Sequence, residues 1–305
     1  MPLQTQNGKS FEFAVATALC EISGGTLIRD AALLETERNF NLSSIQLRTR
    51  QLEAAKAGIR HLTQIHELDF QDPSEVMIKV SGDLAGQDGD VRDLIIYDQI
   101  RSIGISCKNN HRAFKHSRLS AKIDFVKKWN LNAGGASNNY WNLVLPIFEN
   151  LKNMKMDSGG EAKWNQLVNK QQVIYSPILS AFEQEILRLS SEQNLGDVDL
   201  AKNFIDYVVG NQDFYKFILT KSKIEIIGFN FHNTLRITRS RYPSNIHSIE
   251  RDVNHPSTSI LRFQEGHTFS FRIHNASTRI EPSLKFDIQA LSLPSQHIYT
   301  HSILL

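Results

Sequence analysis

Apolar residues recur every three to four positions from residue 11 to 22, at Phe11, Val15, Ala18, Leu19 and Ile22, which predicts an amphipathic helix. Ser10 is placed as its N-cap and the Gly24-Gly25 pair as its stop. The stretch SSIQLRTRQLEAAKAGIRHLTQIHEL carries a second, longer helical pattern with Gly58 inside it, closed by Asp72-Pro73. The period then shortens to two. VMIKV, LIIY and SIGISC read as three short strands separated by Gly and Asp turns, a meander rather than a set of crossovers. The sequence after His111, through SAKIDFVKKW, returns to a helical pattern. From about residue 131, a loop (NLNAGGASNN) leads into WNLVLPIFENL, WNQLVNK, SPILSAFEQEILRLSSE and AKNFIDYVVGN, all helical in pattern. The last third alternates again, in KIEIIGFNF, TSILRF, HTFSFRIHN and SLKFDIQALSL. This order predicts a mixed α/β (α+β) protein divided at 1–130, 131–220 and 221–305, or one continuous domain of the same parts.

Composition changes this picture little: 305 residues with 41% hydrophobic and 22% charged positions are ordinary for a globular chain. No apolar run approaches the roughly eighteen residues of a membrane span, and MPLQTQNGKSFEF lacks the layout of a secretory signal, so a soluble, cytoplasmic protein is expected. Cys20 and Cys107 each lie inside an apolar segment, which argues for reduced, buried thiols and against a disulfide framework or a cysteine zinc cluster. The net charge of +2 is uninformative, but its distribution is not. Residues 108 to 128 hold Lys108, Arg112, Lys115, Arg118, Lys122, Lys127 and Lys128 against Asp124 alone, a local field suited to a polyanion or, more blandly, to a solvated helix face.

The candidate chemistry sits just before that basic run. Asp93 opens LIIY and Lys108 ends SIGISC, so pairing of the two runs through the DQIR turn brings their polar ends together. Alternation puts Ile103, Ile105 and Cys107 on one face and Gly104, Ser106 and Lys108 on the other. A carboxylate can hold a divalent metal, and a lysine can orient water or stabilise phosphate charge, which suits phosphodiester hydrolysis. Asp90, in the turn GDVRD, competes with Asp93 for the metal role. NNH at 109–111 and the pair His111 and His116 lack the context and the spacing of a histidine metal site.

An aspartate, a strand turn and a strand ending in lysine resemble the PD-(D/E)XK nuclease superfamily, whose core is a mixed sheet flanked by helices. Ser106 stands where that motif carries a carboxylate, and Glu12 in NGKSFEFAVATAL is the favoured replacement, with Glu53 a weaker one. NGKSFEF, GDVRDLII with IGISCKNNHRAFKHSRLS, and FRIHNASTRIEPSLKFDIQALSLP are similar, in this order, to the HaeIII family of type II restriction endonucleases. The resemblance implies Mg2+-dependent cleavage of double-stranded DNA at GGCC, Mn2+ as a substitute ion, and a cognate DNA methyltransferase in a bacterial or archaeal cytoplasm. It makes 1–130 the nuclease core, 131–220 a helical subdomain and 221–305 a β-rich recognition region.

Phosphate contacts are then expected from His111, Arg112, Lys115, His116 and Arg118. Alternation in the C-terminal strands turns Arg272, His274, Lys285 and Asp287 outward, and with Asn275 and Arg279 they form a candidate base-reading set. Arg236, Arg239 and Arg241 are further candidate contacts. A palindromic target fits a homodimer. The rivals are a structure-selective nuclease of the same superfamily and a DNA-binding protein with a degenerate nuclease core.

Overall fold

The computed structural model describes residues 3–82, 90–110, 113–129, 134–193 and 199–305. Its strands, in chain order, are β1 (Thr26–Leu27), β2 (Met77–Val80), β3 (Leu94–Tyr97), β4 (Ser102–Asn109), β5 (Ala113–Ser120), β6 (Phe214–Leu219), β7 (Lys223–Phe229), β8 (Ile246–Arg251), β9 (Thr258–Phe263), β10 (Thr268–His274), β11 (Ser283–Ser292) and β12 (Tyr299–Leu304). The helices are α1 (Leu3–Ser23), α2 (Ala31–Leu42), α3 (Ile45–Gln64), α4 (Phe125–Lys128), α5 (Asn138–Asp157), α6 (Ser176–Gln193) and α7 (Leu200–Val209). This is a mixed α/β fold with a β-rich C-terminal third. Among the described residues, no helix is long and apolar enough to cross a membrane.

The chain forms two compact units, and neither is continuous in sequence. One takes residues 1–112, 209–241 and 295–305; the other takes 113–208 and 242–294. The positions 130 and 220 therefore fall inside units, not between them.

In the first unit the strands form one mixed sheet in the order β1-β2-β3-β4-β6-β7-β12. The expected meander is β2, β3 and β4, joined antiparallel. β6 then lies parallel to β4, with Ser106 opposite Lys216. One face of this sheet, carrying Ile103, Ile105, Cys107, Phe217 and Ile226, packs into a core with Phe11, Val15, Ala18 and Leu19 of α1 and Ala54, Ile59 and Leu62 of α3. Gly58 of α3 is what permits the close approach: a Cβ there would stand 2.7 Å from Cε2 of Phe217. Asp30 caps α2 by accepting from the amide of Leu33, and Ser44 caps α3 by accepting from that of Leu47. The helix expected from Ser10 onward begins at Leu3, and Ser10 lies buried within it, donating to Gln51 of α3 at 2.5 Å. The left-handed φ of +73° at Gly24 follows its end, as expected. Both cysteines are free thiols.

The second unit is an antiparallel sheet, β5-β11-β10-β9-β8. AFKHSRLS, expected to be helical, is β5; its ladder partner, β11, lies far along the chain, where no local pattern reveals it. SAKIDFVKKW is helical only over α4, and WNQLVNK yields a single 3-10 turn at Trp164–Gln166. The apolar face of this sheet is the expected one: Phe269, Phe271, Ile273, Leu284, Phe286 and Ile288 are all buried. Phe182 of α6 packs on Phe271 and Phe286, and Phe204 of α7 on Phe269 and Phe271, with ring centroids 4.9 to 5.6 Å apart. The helical middle of the chain is therefore the cover of this sheet.

Candidate active site

Asp98 closes the β3–β4 hairpin by accepting from the amides of Ile100 and Arg101, both at 2.8 Å. The register Leu94 opposite Ile105 then carries Asp93 to the side of Ser106. β3 has no residue to pair with Cys107, and the side chain of Asp93 takes its place: Oδ2 accepts from the amide of Cys107 at 2.6 Å. The same oxygen accepts from Oγ of Ser106 at 3.0 Å and from Nζ of Lys108 at 3.3 Å. The two polar strand ends meet as the spacing predicts, and Ser106 acts as a hydroxyl donor to the aspartate.

Glu12 enters from the middle of α1. It is buried, and Nζ of Lys9 lies 3.3 Å from its Oε2. Burial, and then the neighbouring charge of Asp93, raise its carboxyl to about 8, against the opposing pull of Lys9 and Lys108. Burial alone would depress the ammonium of Lys108, but Asp93 and Glu12 outweigh it and hold the pKa above the ordinary lysine value. The charge of Asp93 thus makes ionisation of Glu12 costly. Hard oxygen donors suit Mg2+, which takes one or two carboxylates and keeps several waters or substrate oxygens. Among the described residues no group of three or more His, Cys, Asp or Glu is arranged to hold a metal; Asp93 and Glu12 could supply two oxygen donors to one. Glu53 is exposed on α3.

Two features of the site escape sequence reasoning. Lys216, on β6 in register with Ser106, is only 2% exposed, and burial and the charge of Lys108 push its amine well below the ordinary value, against Asp93. FYKFIL is buried along its whole length, so it has no alternation to mark it as a strand or to single out its lysine. The other feature is the partner of Asp90: its Oδ1 accepts from the amide and Nε of Arg92, and its Oδ2 from Nη2, at 2.8 to 3.0 Å. The stem of Arg92 crosses Gly104, where a Cβ would come within 2.0 Å of it. The structure thus commits Asp90 to Arg92.

In the second unit, the polar face of the sheet gathers most of the expected DNA-contacting residues. β11 places Asp287 between His116 of β5 and Arg272 of β10, and Lys285 between Arg118 and His274. Asp287 accepts from Nδ1 of His116 at 2.7 Å and from Nε2 of His274 at 2.8 Å. Arg272 is exposed. Lys115 departs from this set. Alternation along β5 turns it to the helix side, where its Nζ donates to the carbonyl of Tyr207 at 2.7 Å and lies 4.1 Å from the ring centroid. Asn275 is spent on a turn, donating to the carbonyl of Ser277, and Arg279 is exposed and paired with Glu161 at 3.1 Å. His111 and Arg112 lie outside the described residues. In the first unit, Arg236 donates to the carbonyl of His66, Arg239 to that of Phe231, and Arg241 is exposed.

A helix-flanked mixed sheet with Asp93 at the start of one strand and Lys108 on its neighbour is the framework of a restriction-endonuclease-like nuclease. The model of the HaeIII restriction endonuclease family matches residues 8–294. The type II restriction enzyme HaeIII of Haemophilus aegyptius is 35% identical over 308 residues, covering 95% of this chain and 94% of that protein. No solved structure matches. The chain belongs to the HaeIII restriction endonuclease family, and it is a type II, site-specific deoxyribonuclease.

Proposed function

We propose that the enzyme hydrolyses double-stranded DNA at the palindrome GGCC with Mg2+, for which Mn2+ substitutes. The observation that carries this reading is the convergence of Asp93, Glu12 and Lys108 in a chain that aligns with HaeIII along nearly its whole length. Asp93 and Glu12 hold the metal, which when bound supplies Lewis-acid charge to the scissile phosphate. The amide of Cys107 and the hydroxyl of Ser106 fix Asp93 in place. Lys108 orients the attacking water and stabilises negative charge as the phosphodiester bond breaks. Cleavage belongs to the first unit. The polar face of the second unit contacts DNA, with His116 and Arg118 on phosphates and Arg272 and Lys285 as candidate readers of guanine, whose O6 and N7 accept from such side chains.

A two-fold target calls for two copies of the chain, and a cell that makes this enzyme needs a DNA methyltransferase to protect its own GGCC sites. The test is digestion of a sequenced plasmid with Mg2+, mapped to the nucleotide. Discrete fragments ending within GGCC are expected. An intact plasmid, or ends that share no sequence, would remove the reading in favour of a DNA-binding protein or a structure-selective nuclease respectively.

A further inference from the structure

Asp287 stands opposite Arg272 in the ladder, yet both of its oxygens are given to histidines. Oδ1 faces Nδ1 of His116 on one neighbouring strand, and Oδ2 faces Nε2 of His274 on the other. Its side chain is 13% exposed. A carboxylate so enclosed and so engaged has little capacity left to accept from the N4 group of a cytosine. The ring of His274 is also held from its second nitrogen, for Nδ1 lies 3.0 Å from the carbonyl of Asn275. The ring thus has a polar partner at each nitrogen and cannot turn without losing one of them. Burial would raise the carboxyl of Asp287, but the bonds from His116 and then His274 outweigh it and hold the group well below the usual carboxylate range. Three adjacent strands, β5, β11 and β10, are thereby locked across their polar face.

The same choice of partners leaves the side chain of Arg272 with no hydrogen bond or ion pair among the described residues, although a carboxylate lies directly across the ladder from it. Lys285 is likewise without one, between Arg118 and His274, and Arg118 gives a guanidinium nitrogen to Oγ of Ser283 at 2.9 Å. We propose that Asp287 is a positioning residue of the base-reading face, acting through His116 and His274, and that Arg272 is the group on this face that contacts a guanine. The inference rests on the proposed function: it takes the polar face of the second unit as the surface that meets the recognition site. Asp287 thus falls outside the direct readers, and its carboxylate shapes the face without touching a base.

The experiment measures affinity of the full-length enzyme for a duplex carrying its mapped site, with Ca2+ in place of Mg2+, beside a duplex lacking that site. Asp287→Asn and the double variant His116→Gln/His274→Gln should each weaken site-specific binding by about tenfold or more, within the range of one lost base contact. The triple variant should lie within about twofold of the double, because residues that act through one another are not additive. Binding to the duplex lacking the site should fall by less than site-specific binding in every variant, since the phosphate contact of His116 is common to both duplexes. Losses that multiply in the triple variant would mean that Asp287 touches DNA itself, and wild-type affinity of Asp287→Asn would mean that it does nothing; either result overturns the proposal. Arg272→Gln provides an arm that does not threaten the fold, since the residue is exposed. It should lose at least about tenfold in site-specific affinity, and retention of wild-type affinity also overturns the proposal. Cleavage by the unmodified enzyme at the mapped site tests the proposed function separately.

Discussion

Replacing Lys108 with alanine removes one ammonium group and little else. Asp93 keeps two of its three donors, the amide of Cys107 and the hydroxyl of Ser106, so its carboxylate stays where the strands put it. A unit charge acting at about 4 Å through an effective dielectric constant of about 20 is worth about 4 kcal/mol. The side chain of Lys108 is 30% exposed in the free protein, so solvent screens part of that, and about 3 to 4 kcal/mol is a fair expectation. At about 1.4 kcal/mol for each factor of ten, cleavage should slow by between 10² and 10³, roughly. The measurement is single-turnover cleavage with enzyme in excess over a duplex carrying the site, at saturating Mg2+, beside equilibrium binding in Ca2+. Binding should stay within about threefold of the parent, since phosphate contacts elsewhere supply most of the affinity. Cleavage within tenfold of the parent would show that the ammonium takes no part in the rate-limiting chemistry, however close it lies to Asp93.

Glu12→Gln should abolish cleavage yet raise the thermal midpoint of metal-free enzyme at pH 8. A carboxyl raised to about 8 in the folded state costs stability progressively as the pH climbs from the ordinary glutamate value toward 8, and glutamine removes that cost; a lower midpoint than the parent at pH 8 would contradict the electrostatic account of the site. Gly58→Ala should destabilise the protein by about 1 to 3 kcal/mol in urea unfolding, because the new methyl group meets the ring of Phe217 at 2.7 Å, and a neutral result would mean that α3 and β6 are less tightly packed than described. Asp287 has the opposite sign to Glu12. Its depressed pKa contributes stability that is full above the ordinary carboxylate value and lost as the pH falls through its own. The advantage of the parent over Asp287→Asn in thermal midpoint should therefore shrink as the pH drops below about 4, and an advantage unchanged in that range would refute the pairing with the histidines.

What could be read from the chain was whatever its local pattern encodes. The hairpin that joins Asp93 to Lys108 is short, alternating and closed by an Asx turn, so its register follows from a few neighbouring residues. The apolar faces of β10 and β11 were visible for the same reason. β5 was hidden because nothing near it in sequence pairs with it, and that error also obscured the direction of Lys115, which parity turns away from His116 and Arg118. β6 was hidden by the opposite circumstance. A strand buried on both sides has no polar rhythm, and Lys216 cannot be distinguished from an interruption in an apolar run. Glu12 lies mid-helix, because α1 starts at Leu3, well before Ser10, the residue expected to be its cap.

The parallel partner of the lysine strand has a consequence for synthesis. β4 is complete at Asn109, but β6 is not made until Leu219, after the chain has traversed residues 113–208 of the other unit. A nascent or prematurely ended chain that stops short of that point carries Asp93, Glu12 and Lys108 but lacks the strand that flanks them, and pairings between such distant segments form late. An incomplete translation product that ends before Phe214 therefore leaves the lysine strand without its parallel neighbour.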